Sequence, residues 1–452
     1  MSLRSQGAQL VSGWGRTAAT AATVVVPSTG EQADKLMAGD GWLIPRGLGR
    51  SYGDTAQSAG GTVLDCTRLD AIRSVDVDAA RVTVGGGVSL DVLLRTMLPL
   101  GLFVPVTPGT RHVTVGGAIA SDIHGKNHHH DGSFCRYVES MTLALPDGRR
   151  LVVTPDDPVF WATAGGLGLT GLIVEATLLL RRVATSRMVV DTWRARDLDE
   201  CMAALEASDA GHRYSVAWID CLASGRRLGR SVITCGEHAG VDELPRRRRD
   251  RPLAYDPRSI VGAPSAVPPG LMNRATIGAF NEAWYRRAPR HRRRTVESIA
   301  TFFHPLDAVR GWNRLYGPRG FLQHQCVVPF GEEAALRTII ERLAASGCAS
   351  FLAVLKRFGP GDPGPLSFPV PGWTLALDMP IGSPLLGAML DGIDELVVAA
   401  GGRVYLAKDA RLRPELVPAM YPRLDEWRAT QRALDPHGHL RSDQSRRLGL
   451  LP

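Results

Sequence analysis

Three glycine-rich segments constrain this chain more than any other feature of its sequence. They are Arg46–Asp54, Pro108–Asn127 and Ala164–Ile173, and each lies next to a short apolar run typical of a β-strand. Glycine lets the backbone approach a ligand closely and turn its N–H groups inward, which is how proteins bind diphosphates. One such segment is a common turn, but three in this order predict a site for a phosphate-bearing ligand.

The usual dinucleotide-binding fingerprint is excluded, although the first segment contains a G-x-G. No G-x-x-G opens a helix after Arg46–Asp54. The small apolar stretch Val115–Ala120 is instead suited to lie against a flat ring system. We expect Thr114, Gly116 and Gly117 to donate hydrogen bonds to phosphate.

The length and composition predict a large, soluble globular protein. A chain of 452 residues indicates two or three domains, and 44% apolar with 22% charged residues is typical of a large buried core. Seven scattered cysteines without a C-x-x-C exclude a disulfide framework and a zinc ribbon. Because the N-terminus lacks the apolar region of a signal peptide, we expect a cytoplasmic location.

The net charge of +8 is concentrated in two arginine-rich runs. Arg246–Arg249 and Arg286–Arg294 cannot fold into a core, and such runs usually form solvated loops. They also suit an anionic membrane surface, because Pro257–Pro269 between them mixes prolines with apolar residues. A basic protein that binds nucleic acid and has no enzymatic activity is the alternative from another class.

The spacing of apolar residues predicts an α+β fold. Ser89 is suited to cap a helix over Leu90–Met97, and an Asp-Gly pair supplies the tight turn of a hairpin at residues 141–153. Between residues 210 and 400 the pattern strand–helix–strand occurs twice. This pattern predicts a sheet that is covered by helices on one face.

Seven blocks of the sequence resemble, in order, segments of the vanillyl-alcohol-oxidase and para-cresol-methylhydroxylase (PCMH) superfamily. They are RGLGRSYGD, PGTRHVTVGGAIASDIHGKNHH, WATAGGLGLTG, FLQHQ, LSFPVPGW, GGRVYLAKD and MYPRLDEW. Within the superfamily the similarity is strongest to the decaprenylphosphoryl-ribose oxidases of the actinobacterial cell wall, and it runs nearly end to end. The resemblance implies a PCMH-type FAD-binding domain and a substrate-binding domain with an antiparallel sheet covered by helices.

This resemblance also implies how the chain is divided. The FAD-binding domain is expected at residues 1–185 and is completed by a C-terminal part at 403–452. The substrate-binding domain is expected at 186–402, with a mobile Arg/Pro-rich insertion near 246–295. Many superfamily members attach the flavin through a histidine in the first loop, where this chain has Arg50, so noncovalent FAD is implied.

The functional residues of the family transfer to positions that match its motifs. The expected FAD contacts are Arg46, Gly47, Leu48, Gly49, Arg50, Ser51, Tyr52, Gly53, Asp54, Thr55, Gly109, Thr114, Val115, Gly116, Gly117, Ser121, Asp122, Ile123, His124, Ile173 and Tyr405. The expected substrate-site residues are Lys126, Trp218, Gln323, Gln325, Lys356, Phe358, Asp378 and Lys408. The departures from the family pattern are Ala376 for a frequent cysteine, Phe303 for a tyrosine and Thr374 for an asparagine.

Lys408 and His124 are the expected catalytic residues. A lysine desolvated beside a flavin has a pKa near neutrality and can take a proton from a sugar hydroxyl, whereas the plainer interpretation is a surface lysine paired with Asp409. His124 and His128–His130 lack the carboxylate or thiolate of a metal site, so we expect no metal and assign His124 a hydrogen bond to flavin or substrate. Trp218 either packs in the core or stacks on a sugar face.

The activity implied by the resemblance is oxidation of the 2′-hydroxyl of decaprenylphosphoryl-β-D-ribose to the 2-keto compound. This is the first half of the epimerisation that yields the arabinose donor for cell-wall arabinan. A separate NAD(P)H-dependent short-chain reductase is the implied partner, and we expect peripheral contact with the inner membrane, on its cytoplasmic or its outer face. The alternative within the superfamily is an oxidase of a soluble alditol or aldonolactone.

Overall fold

The computed structural model describes residues 4–257, 259, 261–264, 267, 270–348 and 350–451. Its strands, in chain order, are β1 Arg4–Ser12, β2 Ala19–Val26, β3 Leu43–Arg46, β4 Thr62–Asp65, β5 Ile72–Asp76, β6 Arg81–Gly85, β7 Leu102–Phe103, β8 Val138–Ala144, β9 Arg150–Val153, β10 Leu172–Leu179, β11 Arg181–Arg182, β12 Arg187–Ala195, β13 Tyr214–Ile219, β14 Ser231–His238, β15 Val261–Gly262, β16 Arg293–Ser298, β17 Val309–Arg310, β18 Phe321–Pro329, β19 Leu352–Phe358, β20 Gly372–Pro380 and β21 Arg403–Val404. Its α-helices are α1 Gly30–Met37, α2 Leu90–Met97, α3 Val115–Ala120, α4 His128–Asp131, α5 Pro158–Thr163, α6 Leu198–Asp209, α7 Arg274–Arg287, α8 Ile299–Phe303, α9 Glu333–Ser346, α10 Leu386–Ala399, α11 Val417–Met420, α12 Leu424–Leu434 and α13 Asp443–Arg447.

The first half of the chain builds two larger sheets and one short pair of strands, β7 with β11. One has the order β1-β2-β4-β3, with β4 parallel to both of its neighbours, and the other has the order β5-β6-β10-β8-β9 and is antiparallel. The predicted hairpin is confirmed as β8 and β9, and the Ser89 hydroxyl accepts from the Val92 N–H at the start of α2, as the sequence predicts. The first glycine-rich segment leaves its sheet at Arg46, the last residue of the edge strand β3.

A sheet of eight strands dominates the second half. Its order is β16-β12-β14-β13-β19-β20-β18-β21, and all of its pairings are antiparallel. Because successive side chains of a strand point to opposite faces, the two faces differ. On one face Ile233, Leu355 and Leu377 share a core with α6, α9 and α10, while on the other Trp218 and Val354 line a cavity. The predicted antiparallel sheet with a helix-covered face is confirmed.

The arginine-rich region is more regular than its composition suggests. The helix α7 begins after Asn273, whose side chain accepts from the Thr276 N–H at 3.1 Å, and the buried Asn281 amide donates to Asp220 at 2.8 Å. Strand β16 then pairs with β12. The segment 246–295, interpreted from the sequence as a mobile insertion, thus contains a capped helix and the start of a sheet strand. A cap and a buried hydrogen bond hold the helix despite its arginines.

Several arginines of the two basic runs have partners within the protein. Arg292 donates to the buried Asp191 carboxylate, Arg294 donates to Glu243 at 2.7 Å, and Arg249 donates to a backbone carbonyl at 2.9 Å. All three side chains are nevertheless exposed, so the prediction that these runs are solvated holds for them, although Arg294 lies in strand β16 and not in a loop.

The C-terminal helices return to the first half of the chain. The Trp427 indole on α12 donates to the Ala162 carbonyl at 2.9 Å, and Arg447 on α13 donates to both carboxylate oxygens of Asp54 at 2.8 and 3.0 Å. Strand β21 ends at Val404, is followed by a 3₁₀ helix over Leu406–Lys408, and belongs to the eight-stranded sheet. The domain division at residues 185 and 402 stays a prediction.

The described helices include none that is both long enough and apolar enough to cross a membrane. The proline-rich stretch Pro257–Pro269, for which the sequence suggested membrane contact, lies partly outside the described residues, at positions 258, 260, 265, 266, 268 and 269.

Candidate active site

A cavity of about 630 Å³ lies between the glycine-rich segments and one face of the eight-stranded sheet. Its walls come from the loop after β3, the segment around α3, the start of β10 and the strands β13, β14, β18, β19 and β20. The volume is typical of a site that holds a cofactor or a substrate.

The loop after β3 presents backbone donors to this cavity. Residues 47–51 line it, and within the part of the chain that the structure describes their N–H groups have no acceptor. Gly49 has a φ of +63°, which glycine adopts without strain. A Cβ on Gly47 would lie 2.2 Å from the Thr114 hydroxyl oxygen, so only glycine lets the loop sit here. Such a row of free N–H groups can bind the oxygens of a diphosphate.

The N–H groups of the second segment are already used within the protein. The Gly116 N–H donates to the Gly86 carbonyl at 2.8 Å, and the Gly117 N–H donates to Thr114 Oγ1 at 3.1 Å. The expectation that these two glycines donate to phosphate is therefore wrong. They line the cavity as small residues, and a Cβ on Gly116 would come within 3.1 Å of the Gly86 carbonyl oxygen.

The third segment meets the second at Gly86, a cavity-lining residue that the sequence interpretation did not select as part of the site. A Cβ on Gly86 would lie 2.0 Å from the Ile173 carbonyl oxygen, and its own carbonyl accepts from Gly116. The backbones of β6, α3 and β10 therefore pass each other at a point that only glycine permits. The signal was present in the sequence as the run Gly85–Gly87, which directly follows an apolar strand.

Most of the predicted site residues line this one cavity, and the roles assigned to them stay predictions. They are Arg46, Gly47, Leu48, Gly49, Arg50, Ser51, Tyr52, Thr55, Gly109, Thr114, Gly116, Gly117, Ser121, Ile123, His124, Lys126, Ile173, Trp218, Gln323, Gln325, Lys356, Tyr405 and Lys408. Of the three departures from the family pattern, Ala376 and Phe303 line the cavity, whereas Thr374 lies behind it and is fully buried.

Three predicted FAD contacts lie behind the cavity wall instead. Asp54 is held by Arg447. Gly53 packs on the backbone of the segment that carries Lys408, where an added Cβ would meet the Asp409 carbonyl oxygen at 2.0 Å. Val115 is buried in the core of the first half. These three residues were expected to contact FAD, but each contacts other parts of the protein instead.

Three further predicted residues also fall outside the cavity. Asp122 is buried, and its carboxylate accepts from the Cys135 N–H at 3.3 Å. Phe358 packs its ring 4.8 Å from that of His124, and Asp378 accepts from the Gln323 amide. All three were expected to touch cofactor or substrate, but they contact the side chains or backbone that hold the wall in place.

Lysines are concentrated at this site. Only four of the 53 basic residues are lysines, and three of them line the cavity. Burial lowers the pKa of Lys408 to about 8, although the charge of Asp378 acts in the opposite direction and raises it. Burial also lowers the pKa of Lys126 to about 8. Burial, together with the charges of Lys408 and Lys126, lowers the pKa of Lys356 to about 7. Lysine, unlike arginine, can release its proton near neutral pH, so these amines are suited to proton transfer.

The surface interpretation of Lys408 is not supported by its surroundings. Asp409 accepts from Arg447 at 2.8 Å and from the N–H groups of Arg411 and Leu412, so its carboxylate has other partners. The Lys408 ammonium lies 5.6 Å from the centre of the Tyr52 ring instead.

Two amide side chains on the cavity wall have buried oxygen acceptors without a partner. Gln323 and Gln325 alternate with a core residue on β18 and share one face, as the sequence predicts. The Nε2 group of each is bound within the protein, to Asp378 and to Thr374. The Oε1 atom of each has no donor among the described residues. Two free carbonyl oxygens on one strand face are suited to accept from the hydroxyls of a sugar.

Aromatic and apolar side chains line the part of the cavity that reaches the surface, and the sequence interpretation missed them. Phe280 and Trp284 on α7 are 38% and 44% exposed, and their rings stack at 6.1 Å with Phe351 beside them at 4.9 Å from Phe280. Trp312 and Leu306 line the same cavity. The available signal was the spacing of four between Phe280 and Trp284, which places both on one helix face.

Metal ligation has no support in the described residues, where no group of three or more His, Cys, Asp or Glu side chains could hold an ion. The residues that are present fit FAD instead. The free N–H groups at 47–51 suit its diphosphate, and the small wall around Gly116 and Gly117 leaves room for its flat ring system.

Comparison with known proteins agrees with this geometry. Residues 22–154 match the FAD binding domain family. The decaprenylphosphoryl-β-D-ribose oxidase of Mycolicibacterium smegmatis is 45% identical over 448 residues, which cover 97% of each chain. This chain belongs to the decaprenylphosphoryl-β-D-ribose oxidase family. It is an FAD-dependent oxidoreductase, as its sequence motifs predicted.

Two further relatives match most of this chain. An uncharacterized protein of Streptomyces coelicolor is 45% identical over 372 residues, covering 80% of this chain and 100% of that protein. The alditol oxidase of a Streptomyces species is 26% identical over 450 residues, covering 95% of this chain and 96% of that protein.

Proposed function

We propose that this family member oxidises the 2′-hydroxyl of decaprenylphosphoryl-β-D-ribose to a ketone, with noncovalently bound FAD as the electron acceptor. The observation that carries the proposal is the combination, in one cavity, of three lysines with lowered pKa values and an aromatic, partly exposed entrance. A sugar hydroxyl needs a base, and a polyprenyl chain needs an apolar path. The name and the extent of the Mycolicibacterium relative support this substrate.

Lys408 is the proposed base. Its neutral amine takes the proton of the 2′-hydroxyl, and the lowered pKa makes the neutral form available near pH 8. FAD held by the N–H groups at 47–51 would supply the hydride acceptor for the carbinol carbon. The free Oε1 atoms of Gln323 and Gln325 accept from sugar hydroxyls and orient the ring, so that the reacting hydroxyl faces Lys408.

Arg50 supports noncovalent attachment of the flavin. It occupies the position at which many superfamily members carry a flavin-linking histidine, and residues 46–55 contain no histidine. The Arg50 guanidinium carbon lies 3.7 Å above the Trp14 ring, which fixes the side chain at the cavity wall. We expect denaturation in acid to release all of the flavin from the polypeptide.

Anaerobic mixing of the yellow holoenzyme with candidate substrates tests the reaction without any external electron acceptor. Decaprenylphosphoryl-β-D-ribose in detergent micelles is expected to bleach the flavin absorbance within seconds and to yield one 2-keto product per FAD. Xylitol and sorbitol at millimolar concentration are expected to leave the absorbance unchanged over the same time. If the ribose lipid fails to bleach the flavin, or if an alditol bleaches it faster, the proposed substrate is wrong.

The second candidate is a soluble alditol, and the alditol oxidase relative favours it. That relative is 26% identical to this chain, against 45% for the ribose lipid oxidase. A small polyol also has no apolar chain that could contact the exposed aromatic rings at the entrance. The bleaching experiment above decides between the two.

We further propose two partners that follow from this substrate. A separate NAD(P)H-dependent short-chain reductase would reduce the ketone, and the enzyme would take its substrate from a membrane surface by peripheral contact. Phe280, Trp284 and the adjacent Arg286, whose side chain is 75% exposed, support the membrane contact. Aromatic rings sit well at the level of lipid head groups, and arginine is attracted to anionic lipids.

A double variant tests the membrane contact. Phe280→Ala with Trp284→Ala is expected to weaken sedimentation with vesicles of phosphatidylglycerol and phosphatidylcholine about tenfold or more, because it removes two rings from the proposed contact face. The control is Trp42→Ala, which removes a tryptophan that is 42% exposed and does not line the cavity. Equal vesicle binding by the double variant and the wild type would contradict the proposed contact.

A further inference from the structure

A chain of hydrogen bonds runs from the sheet to the ring of His124. The Thr374 hydroxyl donates to the Cys326 carbonyl at 2.9 Å. The Gln325 amide nitrogen lies 2.9 Å from the same hydroxyl oxygen and 2.8 Å from Nε2 of His124. All of these side chains are buried, so water does not compete for the bonds.

The single hydrogen of the Thr374 hydroxyl determines which end of the Gln325 amide faces it. Because that hydrogen goes to the Cys326 carbonyl, the hydroxyl oxygen can only accept from Gln325. The amide NH₂ group must therefore point toward Thr374, and the amide oxygen must point away from it. Without this hydroxyl, the two ends of an amide of nearly equal shape would be distinguished only weakly.

The orientation of the amide in turn determines the tautomer of His124. The second hydrogen of the Gln325 NH₂ group is directed at Nε2, which must accept it with a lone pair. In a neutral imidazole the other nitrogen then carries the hydrogen. Burial, together with the charges of Lys356 and Lys408, holds the pKa of His124 well below its usual value, which keeps the ring neutral.

The Nδ1–H group of His124 has no acceptor among the described residues. The ring lines the cavity and is held by aromatic neighbours, Phe358 at 4.8 Å, Tyr405 at 5.0 Å and Phe368 at 5.6 Å between ring centres. A buried donor without a partner costs free energy, so it is expected to find its acceptor in the ligand.

We propose that Thr374 is a positioning residue that, through Gln325, fixes His124 as an Nδ1–H donor to an acceptor atom of the bound ligand. His124 then donates a hydrogen bond and does not act as the base, which leaves proton removal to Lys408. The acceptor is an oxygen or a ring nitrogen, and both the cofactor and the substrate offer such atoms. The inference rests on the proposed function only for its effect on turnover, since the tautomer is a property of the holoenzyme alone.

Nitrogen-15 spectra of the histidine side chains test the tautomer directly. Holoenzyme labelled with ¹⁵N-histidine is compared before and after Thr374→Val, and the signals of His124 are assigned by their loss in His124→Gln. We expect a single Nδ1–H tautomer in the wild type and in Thr374→Ser, and a mixture or the Nε2–H form in Thr374→Val. A wild-type ring protonated at Nε2, or a Thr374→Val spectrum identical to that of the wild type, would overturn the inference.

The source of the acceptor is resolved by the same spectra. If FAD accepts, the Nδ1–H signal shifts between FAD-depleted and reloaded protein and is insensitive to substrate. If the substrate accepts, the signal shifts on anaerobic addition of the ribose lipid to the reduced holoenzyme. A signal that responds to neither ligand would overturn the assignment of His124 as a donor to the ligand.

Turnover provides the second readout. Thr374→Val is expected to lower kcat by about tenfold with a small change in KM, because the misplaced amide and ring act on the bound substrate, and Thr374→Ser is expected to restore kcat to within about threefold. Thr83→Val, which removes a sheet hydroxyl that bonds the Thr177 hydroxyl, controls for the general effect of losing a strand hydroxyl. An equal loss in Thr374→Ser and Thr374→Val would indicate a packing effect and overturn the positioning role.

Discussion

Replacing Lys408 by methionine is expected to lower kcat for the ribose lipid by about two to four orders of magnitude while FAD stays bound. This is the usual contribution of a general base, and methionine fills a similar volume without an amine. Lys408 lines the cavity, and the groups expected to bind the diphosphate are backbone N–H groups at 47–51, so cofactor content should not change. The measurements are anaerobic flavin bleaching and the flavin absorbance of the purified variant.

The pH dependence and a conservative variant separate a base from a binding group. Because the neutral amine is the active form and the pKa of Lys408 is lowered to about 8, kcat/KM should rise with pH up to about 8 and then level off. Lys408→Arg keeps the charge but cannot lose its proton, so it should be as inactive as Lys408→Met. The exposed fourth lysine provides the control Lys35→Met. Substantial activity in Lys408→Arg would contradict the role of a base.

Gly53→Ala is expected to weaken FAD binding about tenfold or more and to lower the melting temperature. An added Cβ would lie 2.0 Å from the Asp409 carbonyl oxygen and 2.9 Å from Ala410 Cα, and backbone atoms cannot move aside cheaply. Overpacking of this kind usually costs about 1–3 kcal/mol. The clash moves the loop at 47–51 away from the segment that carries Lys408. We therefore expect both weaker FAD binding and a lower turnover rate.

The matched control for this variant is Gly382→Ala. Gly382 is exposed, does not have a positive φ, and has no heavy atom within 4 Å of the position that a Cβ would take, so alanine should be tolerated there. FAD content is measured after gel filtration in FAD-free buffer, and stability by thermal unfolding with and without added FAD. Full retention of FAD by Gly53→Ala would show that this contact does not hold the loop.

The local elements could be predicted because short-range chemistry decides them. The Ser89 cap, the hairpin at residues 141–153 and the helices α9 and α10 follow from side chains within a few positions of each other. The region 246–295 could not be predicted in this way. The helix α7 is held by a buried bond from Asn281 to Asp220, a residue 61 positions earlier in the chain, and its arginines suggested a solvated loop.

The sequence predicted most of the residues that line the cavity, but some of the contacts that it suggested for them were wrong. The motifs identified most of the residues that line the cavity, but the spacing of Gly116 and Gly117 cannot show that their N–H groups are already bonded. Phe358 and Asp378 carry the residue types of a binding site and yet lie behind the wall. The packing of the sheet against the glycine-rich segments decides which face of a strand lines the cavity. It also decides which residues lie behind the cavity wall.

The sequence by itself determined the family, the cofactor and the class of reaction. These properties follow from long motifs in a fixed order, which are specific to one family. It also contained a further signal, since two of only four lysines, Lys126 and Lys408, lie in the blocks that resemble the family. The tertiary structure alone decided that these two and Lys356 share one cavity, where burial lowers their pKa values, and that Thr374 is joined through Gln325 to His124. Both facts rest on distances between residues far apart in the chain, and desolvation and hydrogen-bond direction exist only once those residues are brought together.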